Sequence, residues 1–189
     1  MKKSIFYFVL GIFALSTIAF MKKEEAATNE FNDSFSKSLL HAKEYTVKVA
    51  EAMPADNYKY RPTDSVRTFG EQMTHIGMST SMILHKFIKG EEMKMDMEAN
   101  QKLEKSIGAS KEQTIKLLNN AFDDAIKSVK DMDGKGLNNT FVFPFSPDKP
   151  ELTNEQGFLF LRDHITHHRG QAIIYLRMRG IKPPPYSGF

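Results

Sequence analysis

The sequence contains no cysteine among its 189 residues. Disulfides, thiolate metal sites, a cysteine nucleophile and the acylated cysteine of a bacterial lipoprotein are therefore excluded. The redox compartment stays open, because exported proteins can also do without disulfides. A marked excess of either charge is lacking as well: 26 basic residues face 23 acidic ones, net +3. Residues 1–20 carry Lys2 and Lys3 and no acid, so the remainder holds 24 − 23 = +1. Without a basic run, that near-neutral remainder has no electrostatic footprint for nucleic acid. Internal repeats and a convincing strand pattern are missing too.

One long apolar run is present. Ile5 to Phe20 follows the basic start Met1-Lys2-Lys3 and is broken only by Gly11, Ser16 and Thr17. It is shorter than the ~20 residues a spanning helix needs and lies at the upper edge of a signal-peptide core. Residues 1–20 therefore read as an export signal, with an uncleaved N-terminal membrane anchor as the alternative. Thr17-Ile18-Ala19 offers small residues for cleavage, although Phe20-Met21 follows awkwardly. Either form places the folded part outside the cytoplasm, in the periplasm or cell envelope. Residues 21–29 are small and polar and read as a linker.

From residue 30 to 182 the pattern is helical. Phe31, Phe35, Leu39, Ala42, Val49 and Met53 make one apolar face that Pro54 ends. Thr68 and Glu71 have capping-box spacing ahead of a second helix, with Phe69, Met73, Ile76, Ile83, Leu84 and Phe87 on its face and Gly90 at its end. Ser110 with Gln113 and Thr153 with Gln156 open two more. Between the second and third lies a charged crossover, with Met93, Met95 and Met97 in alternation. A methionine copper site is the sharper reading of these three; solvent-facing methionines are the plainer one, and we adopt it. Leu137 to Leu152 reads as a packed aromatic loop, because its prolines argue against a central strand. Pro183-Pro184-Pro185 begins a stiff tail over residues 183–189. The expected fold is all-α: a four-helix bundle with long crossover connections.

Three of the six histidines fall in Asp163-His164-Ile165-Thr166-His167-His168-Arg169-Gly170-Gln171. His164 and His168 are four apart, so on a helix they lie within about 40° of each other and roughly 6 Å apart along the axis. Two half-buried neutral imidazoles need partners for four ring nitrogens, and a divalent metal supplies a shared one. His75 is the other histidine that combines a helical position with apolar neighbours. His167 is offset and should point away, while His41 and His85 read as boundary or surface residues. Spacing alone leaves metal ligation and hydrogen-bonded packing both open. The paired Glu-x-x-His of a di-iron bundle is absent, and Ile165 stands where a zinc protease would carry its glutamate.

His164 followed by His168-Arg169-Gly170-Gln171, with Tyr60-Arg61-Pro62, Phe69-Gly70-Glu71 and His75 upstream, resembles the DinB superfamily, which includes the YfiT-like proteins classed as metal-dependent hydrolases. The resemblance spans about Phe31 to Lys182. It implies an up-down-down-up bundle with metal ligands at His75, His164 and His168. It also implies zinc, or else nickel, iron or manganese, as the divalent ion. The implied chemistry activates water or a thiol against a small electrophilic substrate, as in a hydrolase or a thiol transferase, and homodimers occur in the family. Arg169 and Gln171 are expected to brace the helix by hydrogen bonds, and Gly170 to permit close helix approach. Two other readings stand beside this one. One is a non-catalytic bundle that binds a metal or small ligand; the other is an envelope protein in which the histidines only pack.

Overall fold

The computed structural model describes residues 2–187, with backbone alone for 2–20 and 24. Helix α1 (Lys2–Ala52) opens the chain, and α2 (Phe69–Met82) follows a loop. α2 runs on into a π-helical turn, Ile83–Ile88, which stops at Gly90 with φ of 67°. Next come α3 (Met97–Gly108), α4 (Lys111–Asp131) and the short α5 (Gly134–Asn138). The strands β1 (Thr140–Val142) and β2 (Glu151–Thr153) precede α6 (Asn154–Met178), the last element.

Four of these helices make the bundle. α1 packs on α4 and α6, and α2 packs on the same two, so α1 and α2 sit across the diagonal although they are consecutive in sequence. Directions follow from the contacts at the ends. Lys111, at the start of α4, reaches the carbonyls of Glu51 and Met53 at the end of α1. Thr74 of α2 bonds Thr114 of α4 at 3.1 Å, each early in its helix, so these two run parallel. His168, late in α6, meets Gln72, early in α2, so α6 runs against α2. The order is up-down-down-up, as expected. A parallel pair of consecutive bundle helices needs a long return, and α3 is part of that return.

The expected helix faces form the core. Phe35, Leu39 and Val49 of α1, with Met53 just beyond its end, meet Phe69, Met73 and Ile76 of α2, with Phe122 and Val129 of α4 and Phe158, Leu161 and Ile165 of α6. The capping boxes Thr68/Glu71 and Thr153/Gln156 are complete in both directions. At Ser110 the hydroxyl accepts from the Gln113 amide, half of the expected box. Buried Tyr58 gives its hydroxyl proton to the Ala50 carbonyl at 2.8 Å, and burial pushes its phenol well above the usual range.

Several expectations change. Residues 21–29, read as a linker, are helical, because no glycine or proline interrupts the run into Glu30 and alanines at 26 and 27 favour propagation. Their side chains are mostly exposed, and burial begins at Asn32. The export-signal or anchor reading of residues 1–20 falls on side chains outside the described set. Among the described residues no helix is long and apolar enough to cross a membrane.

The aromatic loop contains a two-stranded antiparallel ribbon, with Phe141 opposite Leu152. Its prolines do not prevent this. Pro144, Pro147 and Pro150 lie in the connection beyond the three paired residues, and Pro150 still accepts from the Phe143 amide at 2.8 Å. The crossover carries a full three-turn helix, α3. Met93, Met95 and Met97 are 38%, 41% and 66% exposed, as the plainer reading expected.

Gly170 is exposed, and a Cβ built there meets nothing within 4 Å, so it does not mediate close helix approach. That role belongs to Gly70 and Gly108. A Cβ on Gly70 would lie 1.9 Å from the Gly108 carbonyl oxygen, backbone against backbone where α2 begins and α3 ends. Gly70→Ala should therefore lower stability by about 2–3 kcal/mol in urea unfolding. Gly170→Ala should be neutral or raise stability by up to ~1 kcal/mol, as for an exposed helical glycine.

Candidate metal centre

The seam between α2 and α6 carries the three histidines. α6 offers His164 and His168 from one face, and α2 offers His75 from the opposing side. One ring nitrogen from each lies within 4.8 Å of the other two, and all three residues are half-buried. The His164 and His168 Nε2 atoms are 3.2 Å apart, and the His75 ring centroid lies 4.5 Å from that of His168 and 5.5 Å from that of His164.

Each ring is held from behind. His75 Nδ1 is 3.0 Å from Glu104 Oε2, and the other oxygen of Glu104 accepts from Arg67 Nε at 2.6 Å. Burial alone would raise the Glu104 carboxyl, but the hydrogen bonds and charges of His75 and Arg67 outweigh it and hold it below the usual carboxylate range. The Ser79 hydroxyl spends its proton on the carbonyls of His75 (2.6 Å) and Ile76 (3.2 Å), so its lone pair can accept from His164 Nδ1 at 3.2 Å. The amide nitrogen of Gln72 lies 2.8 Å from His168 Nδ1 and also donates to Gln171 Oε1. Gln171 in turn faces His167 Nε2 at 3.0 Å.

These contacts define one self-consistent proton layout. Gln72 donates to His168 Nδ1, His168 Nε2–H donates to His164 Nε2, and His164 Nδ1–H donates to Ser79. Burial first, and the neighbouring His75 second, lower the pKa of His164 to about 4 and of His168 to about 3, so both rings are neutral at pH 7.

Neutral imidazoles are what a divalent ion takes as ligands. Two nitrogens on one tetrahedral zinc lie about 3.3 Å apart, and the 3.2 Å between His164 and His168 matches that. His75 has to close by about an ångström or more to join them. His75 and His164 already have Nδ1 partners that can accept its proton. For His168 the proton must pass from Nε2 to Nδ1, and Gln72 must turn its amide to present oxygen. The residues fit a three-histidine metal site with open coordination positions.

Sequence reasoning placed His75, His164 and His168, and the structure brings all three together. His167 is exposed and offset, as expected. Arg169 braces α6 against α1 through the Ala42 carbonyl (3.4 Å) and Thr46 Oγ1 (3.3 Å), with its guanidinium over the Tyr45 ring. Glu104, Ser79 and Gln72 were missed. Gln72 and Ser79 stand three before and four after His75, on its face of the helix, so spacing could have found them. Glu104 had no such signal, because it comes from the crossover. His85 is half-buried between Glu91 (2.8 Å) and Asp124 (2.7 Å), away from the site.

The DinB superfamily profile matches residues 38–172. A DinB-like protein from Bacillus cereus ATCC 10987 shares 20% identity over 82% of this chain and 97% of its own, with a TM-score of 0.64. A DinB-like protein from Bacillus subtilis shares 15% identity, with 81% and 96% covered and a TM-score of 0.61. YfiT from Bacillus subtilis, described as a probable metal-dependent hydrolase with an unusual four-helix bundle topology, shares 17% identity, with 80% and 89% covered and a TM-score of 0.64. At these identities the likeness concerns the fold. No curated protein matches the sequence.

Two outcomes follow from the geometry. In the unfolded chain His164 and His168 protonate near pH 6.5, but in the folded one only near 4 and 3. Unfolding therefore takes up protons in that window, and metal-free protein should lose stability as pH falls from about 6.5 towards 4. The double substitution of His164 and His168 by Asn should flatten that slope in urea titrations at successive pH values. Separately, Glu104→Gln should weaken divalent-metal affinity by about 10–100-fold while leaving helix content unchanged.

Proposed function

The chain belongs to the DinB superfamily, and from that premise we propose that it is a metal-dependent hydrolase acting on a small electrophilic substrate such as an ester or amide. The observation that carries this reading is the group of three half-buried ring nitrogens within 4.8 Å, each ring having a polar group at its back. His75, His164 and His168 would hold the ion. When bound, a divalent ion supplies Lewis acidity, which acidifies a coordinated nucleophile and polarises a carbonyl. The chain's own residues do the rest. Glu104 keeps the His75 proton on Nδ1, and Ser79 does the same for His164. Gln72, once turned, does it for His168, so each Nε2 lone pair is free for the ion.

Zinc is the first candidate, because three imidazoles and an open position suit it, with nickel, iron and manganese as alternatives. Thiol transfer by the same site is the runner-up. The basic start and apolar run of residues 1–20 support export by signal peptide or anchor. A reduced thiol is scarce outside the cytoplasm, which favours water as the nucleophile. One observation favours a non-catalytic binder instead: the carboxylate beside the site, Glu104, is engaged on both oxygens and is not free to act as a base.

Reconstituted full-length protein should retain about one divalent ion per chain, and His75→Ala, His164→Ala or His168→Ala should each abolish retention, as read by elemental analysis. Hydrolysis of ester and amide probes should fall by about 100-fold or more on chelation and in each variant. Hydrolysis indifferent to chelation and to all three substitutions would sink the enzymatic reading. Retained metal with neither hydrolysis nor thiol conjugation would leave the binder.

A further inference from the structure

Beside His164 the metal centre gives way to a band of phenylalanines. Phe160 lies one turn before His164 on α6, on the same face, with ring centroids 5.9 Å apart. Phe143 packs edge-on against Phe160 at 4.7 Å, and Phe145 lies nearly parallel to Phe160 at 6.3 Å. Phe87, from the π-helical turn, meets Phe145 at 5.5 Å and Phe141 at 6.0 Å. None of these five rings is fully buried, and Phe145 is 54% exposed. Phe87, Phe141 and Phe160 rest in part on the core, whereas Phe143 and Phe145 stand outside it, so the band keeps an aromatic edge that runs from exposed Phe145 through Phe160 to a ligand of the proposed ion.

The opposite flank of the centre is polar: His75 is backed by Glu104 and Arg67. A polar flank and an aromatic flank on either side of an ion suit a substrate with a polar reacting group and a flat apolar substituent. We propose that Phe160, Phe143 and Phe145 form the seat for an aryl group of the substrate, whose reacting group then lies at the ion held by His75, His164 and His168. This rests on the metal-site reading above and adds the substrate class. Aromatic side chains favour aryl groups over alkyl groups of similar size through offset and edge-on contacts. The exposed hairpin connection supplies two of the three rings, so the seat is assembled from α6 and the loop that precedes it.

The test is binding without turnover. Full-length protein is loaded with zinc, its zinc content is measured, and acetohydroxamate and benzohydroxamate are titrated in by calorimetry. Both chelate zinc, and only the second carries an aryl ring. Benzohydroxamate should bind about tenfold more tightly or better. Phe145→Ala and Phe160→Ala should reduce that ratio to about twofold, with zinc content and acetohydroxamate affinity unchanged. Phe145 is exposed, so its truncation leaves the core intact, and circular dichroism checks the fold of both variants. Equal affinity for the two probes on zinc-loaded protein overturns the aryl seat and leaves the metal site standing. A preference that survives both substitutions also overturns it. Protein that retains no zinc overturns the metal reading and, with it, this proposal.

Discussion

Imidazoles packed together in a half-buried seam must find hydrogen-bond partners for both ring nitrogens, and the polar architecture between α2 and α6 is arranged around that demand. Six ring nitrogens converge here, and an unpartnered one would cost about 1–3 kcal/mol. Three of the six face one another. The other three are met by Gln72, Ser79 and Glu104, each at 3.2 Å or less. The partners come at different structural cost. Gln72 and Ser79 are neighbours of His75 on its own helix. Glu104 requires α3, and α3 can lie close enough only because Gly70 and Gly108 let two backbones touch. The long crossover that parallel α2 and α4 require thus also delivers the carboxylate that orients the His75 ring.

The same network has two proton layouts that differ by one tautomer. In one, His168 donates to His164 across the seam and Gln72 donates from behind. In the other, both Nε2 lone pairs face the centre and Gln72 accepts. The total charge is the same in both, so passage between them needs an amide rotation and a proton shift rather than a change in ionisation. Burial keeps His164 and His168 neutral well below pH 7, and this makes the second layout accessible without competition from protons. The Gln72–Gln171–His167 chain extends the choice outward, since turning one amide invites the next to turn. His167 thus stands outside the three-histidine group but is connected to it.

Much of this was legible in the sequence. The i, i+4 pair His164/His168 and the lone His75 in an apolar helix stood out because helical periodicity puts such residues on one face whatever the fold. The helix starts at Thr68 and Thr153 were equally local signals, since a cap depends on residues three apart. Gly170 was misjudged for the complementary reason. A glycine inside a helix is equally compatible with close packing and with open solvent, and only the neighbour decides. The ribbon was missed because proline statistics speak against a strand within a ladder, whereas here the prolines fall in the turn. The stretch 21–29 was read as a tether from its polarity, but polarity does not break a helix that has no glycine or proline in it.

By itself, the sequence determined the helix faces, the caps, the all-α class and the identity of the three histidines, because each of these depends on residues within a few positions of one another. Tertiary structure decided how the three histidines are backed. Glu104 stands 29 positions from His75, Ser79 stands 85 from His164, and Gln72 stands 96 from His168. No local periodicity encodes such pairings. They arise when α6 packs antiparallel to α2 and the crossover folds back over Gly70. The aromatic flank has the same origin. Phenylalanines from the hairpin connection, the π-helical turn and α6 are brought together beside His164 only once the ribbon closes against the bundle.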